Sequence, residues 1–245
     1  MPAAPTARSP ASEAGVSLLR RDIGVTLLGL ALLLAWDASG ADLALVRLFG
    51  TDQGFAWRDN WWASTLAHDG GRLLGWCVLA GMALAAARQP GPPAAGSPGR
   101  AERWKCFGVV VLCLLAVPAL KRFSATSCPW DLAQFGGVAR YVSHWQWGEA
   151  DGGPGRCFPS GHAVAAFAFF GLHFMWRSHD RRRARAWLWA VLAAGLVFGA
   201  AQLMRGAHYA SHTLWSAWLC WLICVVASHL PAWRMALPRT APQSR

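Results

Sequence analysis

The chain has 245 residues, 55% of them hydrophobic and only 14% charged. A water-soluble domain of this size carries closer to about a quarter of charged residues, so a soluble globule is excluded and one polytopic helical membrane domain is indicated. The net charge of +11 would suggest nucleic acid in a soluble protein; here the cations gather at the ends of apolar runs, and no nucleic-acid partner is required.

In chain order, residues 1–22 read as a cytoplasmic tail, and the membrane domain is expected over 23–230. Its first span is predicted near Ile23–Ala38. Arg20-Arg21, this apolar run and the small residues near Ser39–Ala41 also fit a cleavable leader, although an even number of spans suits the later loops better. The second span falls near Leu73–Ala87, followed by a Pro-, Gly-, Ala- and Ser-rich linker at Gln89–Gly99. The third runs near Cys106–Leu120, and a long loop then extends from Lys121 to Ser160. The fourth, fifth and sixth spans are predicted near His162–Trp176, Trp187–Leu203 and Leu214–Leu230, before a cytoplasmic tail over 231–245. Trp57, Trp61, Trp62, Trp76, Trp104, Trp176 and Trp187 lie near proposed span ends, where an indole can bury its ring and keep its N–H wet. With the N-terminus in the cytoplasm, 15 of the 23 Lys and Arg fall on the inside. That bias puts both termini in the cytoplasm. The expected fold is therefore all-α, with about six transmembrane helices in a bacterial inner membrane and a site facing the periplasm.

Two polar clusters fall on that outer side. One ends the long loop, at Pro159-Ser160-Gly161-His162; the other, Met204-Arg205-Gly206-Ala207-His208-Tyr209-Ala210-Ser211-His212, separates the last two spans. A Pro-Ser-Gly turn entering an apolar helix presents unpaired N–H groups to an anion. Gly161 permits close backbone approach, and Ser160 supplies a hydroxyl or caps the helix. His162 suits protonation of a leaving alkoxide; a plain N-cap beside an interfacial His explains the same tetrapeptide. His208 and His212 are spaced i, i+4 and share a face if the segment is helical. His208 then suits attack on phosphorus, with His212 accepting a hydrogen bond from its ring. Two His one turn apart also fit zinc, but no third ligand stands at a persuasive spacing. Lys121 and Arg205 stand at the two loop entrances, suited to neutralise phosphate oxygens or to snorkel to lipid headgroups.

Of 7 Cys, Cys77, Cys106, Cys113, Cys220 and Cys224 fall in or at the edges of apolar runs, where Cys serves as a small hydrophobe. Cys128 and Cys157 alone lie in the outer loop, and in an oxidising compartment two such thiols pair if geometry allows. A Cys128–Cys157 disulfide is expected, closing a loop for which chain entropy gives roughly 3–4 kcal/mol.

The order Lys121…Cys128-Pro129, Pro159-Ser160-Gly161-His162 and Arg205-Gly206-Ala207-His208…His212 resembles the type 2 phosphatidic acid phosphatase superfamily, from the third span to the end of the last. The resemblance implies a membrane-bound phosphatase needing no cofactor or metal, with His208 as nucleophile and His162 as general acid. Lys121, Ser160 and the Gly161 amide would hold phosphate oxygens, and the partner would be a phosphorylated lipid. Three positions depart from the family pattern. Cys128 stands where Arg is expected, Ala201-Gln202 where Ser-Arg is expected, and His212 where Asp is expected. Arg205 or Arg122 would then supply the displaced phosphate contact. A phosphotransferase using the same site, or a lipid-phosphate binder or transporter that has lost turnover, remains as an alternative. The residues do not indicate which lipid is used, nor an oligomeric state.

Overall fold

Every apolar run identified in the sequence forms helix in the computed structural model, which describes residues 10–88, 96–146 and 148–230. The tail residues 1–9 and 231–245 and most of the linker expected at Gln89–Gly99 lie outside the described residues. Helix α1 (Pro10–Ser39) starts within the segment assigned to the N-terminal tail and is followed by short α2 (Ala41–Val46). A two-residue antiparallel hairpin, β1 (Gly50–Thr51) with β2 (Gly54–Phe55), is the only paired sheet among the described residues, in register Gly50↔Phe55. A π-helical segment, Trp62–Gly70, runs directly into α3 (Gly71–Ala87). Then come α4 (Arg100–Lys121), the pair α5 (Val164–Phe167) and α6 (Phe170–Trp176), α7 (Arg181–Met204) and α8 (Ala210–His229). Three of these, α4, α7 and α8, are long and apolar enough to cross a membrane.

The fourth run departs most from expectation. It is broken between Phe167 and Phe170, and its two parts are buried at the centre of the bundle rather than facing lipid. Val164, Phe167, Phe170 and Phe174 pack against Val110, Cys113 and Val117 of α4, Val191 of α7 and Cys220 and Cys224 of α8. An apolar run reads alike whether lipid or protein covers it, because periodicity vanishes when every face is buried. Four of the five free cysteines are buried, all of them in this core on α4 and α8, as small hydrophobes.

Close packing depends on missing side chains. A Cβ on Gly195 of α7 would collide with the Phe167 ring, and one on Gly199 would collide with Thr213 of α8. Small residues let helices approach where lipid offers no competing hydrophobic drive.

Helix α1 is held to α8 by polar contacts that the apolar pattern hides. At the start of its apolar run, Asp22 accepts from Arg177 Nη1 at 2.6 Å and pairs with His229 Nε2 at 2.7 Å. At mid-helix the Trp218 and Trp221 indoles donate to Thr26 at 2.9 and 3.1 Å. Near its C-terminal end Asp37 accepts from the indoles of Trp145 and Trp215, each at 2.9 Å. Carboxylates within a membrane bundle are tolerated when turned inward and paired, and these two are.

A second apolar cluster packs at the Asp37 end of the bundle. Val46, Phe55, Leu132, Phe135 and Tyr209 pack there, with the Phe55 and Phe135 rings edge to face at 5.0 Å. The cluster seats the loops that carry the polar motifs.

Candidate active site

Helix α7 stops just short of the polar cluster because of Gly206. Its φ is +73°, a conformation open to glycine and costly for other residues. The Gly206 N–H donates to Leu203 O at 3.0 Å and the Ala207 N–H to Gln202 O at 2.9 Å, which is a Schellman ending. Helix α8 does not begin until Ala210. His208 therefore sits in a loop between two helices, and the one-face relation to His212 expected from their spacing is not realised.

The Asp42 side chain fixes the start of α8 from another element. Its carboxylate accepts from the Ser211 N–H at 2.9 Å and from the Ser211 hydroxyl. It thus satisfies one of the open N–H groups of the first turn. The long loop is anchored similarly by buried Asp151, which accepts from the Ser127 N–H and, at 2.9 Å, from the Ser127 hydroxyl. The arms bearing Cys128 and Cys157 then run side by side, with the Cys157 N–H donating to Thr126 O at 2.9 Å. Their sulfurs are joined, with Cα atoms 5.2 Å apart. The Trp130 N–H donates to Gly206 O at 2.9 Å, tying this loop to the Schellman turn.

These constraints converge on His208, which is 1% exposed. Its Nε2 lies 3.3 Å from His162 Nδ1, and its Nδ1 lies 3.4 Å from Cys157 Sγ. Both ring nitrogens are engaged, and neither faces His212. The His212 ring meets that of His208 edge to face at 5.8 Å, and its buried Nδ1 has no hydrogen-bond partner. The expected His212–His208 hydrogen bond is thus corrected to a His208–Cys157 contact, because α8 starts after His208. His212 serves instead through its backbone: its carbonyl accepts from the Ser160 N–H at 3.1 Å. Ser216 reinforces the joint, its hydroxyl lying 2.8 Å from Ser160 O and 2.9 Å from His212 O. Ser160 is fully buried, with its hydroxyl 3.5 Å from the Ala163 N–H, as a helix cap would be.

Burial pushes the His208 imidazole well below its ordinary value of 6.5, because a charged ring is poorly solvated there. Lys121 adds repulsion of the same sign, followed by His212 and His162. His208 is thus held as a neutral base.

A cavity of about 530 Å³ opens beside His162, with His208 buried behind that ring. Lys121, Gly161 and His162 line one part of it, together with Arg72. A Cβ placed on Gly161 would lie 3.9 Å from Lys121 Nζ, so the ammonium sits over the glycine backbone. The rest of the lining is apolar and includes Leu79, Leu114, Leu115 and Phe169. Arg205 does not line this cavity. Its Nε donates to Arg58 O at 2.9 Å, and its guanidinium lies 6.0 Å from the Trp130 ring. Arg122, the other expected substitute, does not line it either. Arg72 is the cation that sequence reasoning passed over. It lies at the start of α3 and carries no motif, so position along the chain gave no reason to pair it with Lys121.

Among the described residues, Cys128, Cys157 and His208 bring three metal-ligand atoms within 4.8 Å of one another. Two of those atoms are the bonded sulfurs, so the set is a disulfide resting on an imidazole.

Comparison with curated proteins and with solved structures finds no match. The family model of the PAP2 superfamily matches residues 103–236, more than half of the chain, and takes in all but the first three residues of α4, then α5 to α8 with both histidines. The members of that family are in general phosphatases, and the three long apolar helices here suit a membrane. That match covers both histidines and Lys121, and the chain belongs to the PAP2 superfamily.

Proposed function

We propose that the protein hydrolyses a phosphomonoester or pyrophosphate of a membrane lipid, without a metal ion, through a phosphohistidine at His208. The observation that carries this reading is the lining of one cavity, where Arg72, Lys121 and His162 meet apolar side chains from α3, α4 and α5. Such a space suits a molecule that is anionic at one end and aliphatic at the other.

In the first step His208 Nε2 attacks phosphorus while the P–O bond to the lipid breaks. His162 passes its proton to the departing alkoxide. In the second step a water oxygen attacks phosphorus as its proton passes to His162, the P–Nε2 bond breaks with its electron pair returning to the ring, and inorganic phosphate leaves neutral His208 behind. Lys121 and Arg72 balance the charge on the equatorial oxygens, as phosphoryl transfer requires. Gly161, whose backbone lies against Lys121, leaves room for those oxygens.

The six helical runs cross a bacterial inner membrane in this reading. Both termini are cytoplasmic and the site opens to the periplasm. A membrane and a phosphorylated lipid are the only partners it requires.

The test is release of inorganic phosphate from a panel of lipid mono- and pyrophosphates by purified protein in a chelator. We expect release from at least one lipid, and His208→Ala to lower it by about 10³-fold or more. Near-normal release by that variant would refute the nucleophile. Rescue by zinc after loss in chelator would refute the metal-free chemistry. Loss of lipid phosphate without free phosphate would show transfer to an acceptor instead of hydrolysis.

A further inference from the structure

Resting on the reading of His208 as nucleophile, we propose that the Cys128–Cys157 disulfide is the orienting partner of that histidine, holding its proton on Nδ1 so that Nε2 stays bare for attack, and that opening the bridge removes this bias.

The argument begins with which atoms carry protons. A neutral imidazole has one N–H, and the nitrogen without it is the nucleophile. His208 Nε2 faces His162 Nδ1 at 3.3 Å, and His208 Nδ1 faces Cys157 Sγ at 3.4 Å. A disulfide sulfur has lone pairs and no hydrogen. The contact is favourable only when Nδ1 carries the proton, which leaves the lone pair on Nε2 pointing at His162. His212, at the position expected to orient the ring, makes no hydrogen bond to it, and the other acceptor near the ring is the backbone of Cys157 itself.

The two cysteines are placed for this contact by the fold around them. Cys157 is fully buried, with its sulfur 3.2 Å from Ala207 O, so it cannot swing away from the His208 loop. Cys128 is half-buried and offers the approach to the bridge. A dithiol reductant would attack there, delivering two electrons and two protons to give two thiols and its own cyclic disulfide. The Cys157 sulfur then carries a hydrogen. It can donate to Nδ1, the most basic atom in reach, which moves the ring proton to Nε2 and blocks the nucleophile. The site would work in an oxidising compartment and idle in a reducing one.

The experiment uses purified full-length protein with ¹⁵N-labelled histidine rings, oxidised and then treated with a dithiol. The His208 ring signals are identified by their loss in His208→Ala. We expect an Nδ1–H pattern in the oxidised protein and its loss on reduction. Turnover of a lipid phosphate should show kcat falling about tenfold or more on reduction, with KM within about twofold. The pair Cys128→Ala/Cys157→Ala leaves neither acceptor nor donor beside Nδ1, so it should lose the Nδ1–H pattern and show kcat below that of the oxidised protein. The pair Cys128→Ala/Cys157→Asp restores a protonless acceptor, so it should keep the Nδ1–H pattern and ignore the dithiol. Unchanged ring signals on reduction would overturn the proposal. So would an Asp pair as inactive as the Ala pair, which would make the bridge a brace for the loop and nothing more. If oxidised protein releases phosphate from no lipid, the functional reading fails, and the ring signals alone decide this one.

Discussion

At His208 the requirements of a nucleophile are met by burial and by neighbours of one charge. Both disfavour the imidazolium form, so the proton leaves at lower pH than from a free histidine. The sign follows: the ring stays neutral through pH 7, and activity fails only when the pH drops through the lowered value. The acid limb of kcat/KM should therefore lie below 6.5, the ordinary histidine value. A pH profile measured on any accepted substrate checks this, and a limb at or above 6.5 would count against His208 as the free-enzyme base. His162 and His208 are legible in the sequence because each stands in a recognisable local context. The partner of His208 is not, since spacing i, i+4 implies a shared face only within one helix, and Gly206 ends the helix first. Nor are Asp42 and Asp151 legible as anchors. Asp42 acts on Ser211 across 169 residues, a distance at which local pattern carries no information.

Packing between elements turns on glycines whose neighbours lie on other helices. Gly195 of α7 faces Phe167 of α5, the short helix that carries the Pro-Ser-Gly-His turn. Gly195→Val should destabilise the protein by about 1–3 kcal/mol through overpacking, read as a lower melting temperature in detergent. Gly108 of α4 is the control: a Cβ there meets nothing within 4 Å. Gly108→Ala should leave the melting temperature unchanged or raise it slightly, because alanine is the better helix former. Equal losses from both substitutions would mean that helix propensity, and not the contact with Phe167, sets the cost. Helix positions are readable from hydrophobicity alone, because a bilayer-length apolar run has few other conformations open to it. Which run is central is not readable: α5 and α6 are surrounded by protein, while the similarly apolar α7 keeps Trp189, Leu196 and Val197 exposed.

Across the whole molecule, the proposed orientation predicts which surfaces an impermeant reagent can reach. Val138 in the outer loop is 80% exposed, and exposed Arg185 lies near the start of α7 at the opposite end. With exposed Cys77 replaced by Ser, Val138→Cys should react with an impermeant maleimide on spheroplasts, and Arg185→Cys only after permeabilisation. The reverse pattern would invert the topology. The bias of Lys and Arg is visible in the sequence; the pairing of α1 with the end of the chain is not. That pairing bears on how the protein is made. Asp22 reaches Arg177 across 155 residues and His229 across 207. At roughly 5–20 residues per second, a ribosome needs about 10–40 s to travel from the first partner to the last. In the proposed topology α1 spends that interval as a membrane span with a carboxylate at each end of its apolar run and no α8 to receive them. The first helix made is among the last to be seated, and a ribosome that stalls before α8 leaves behind a membrane segment whose charges have nowhere to go.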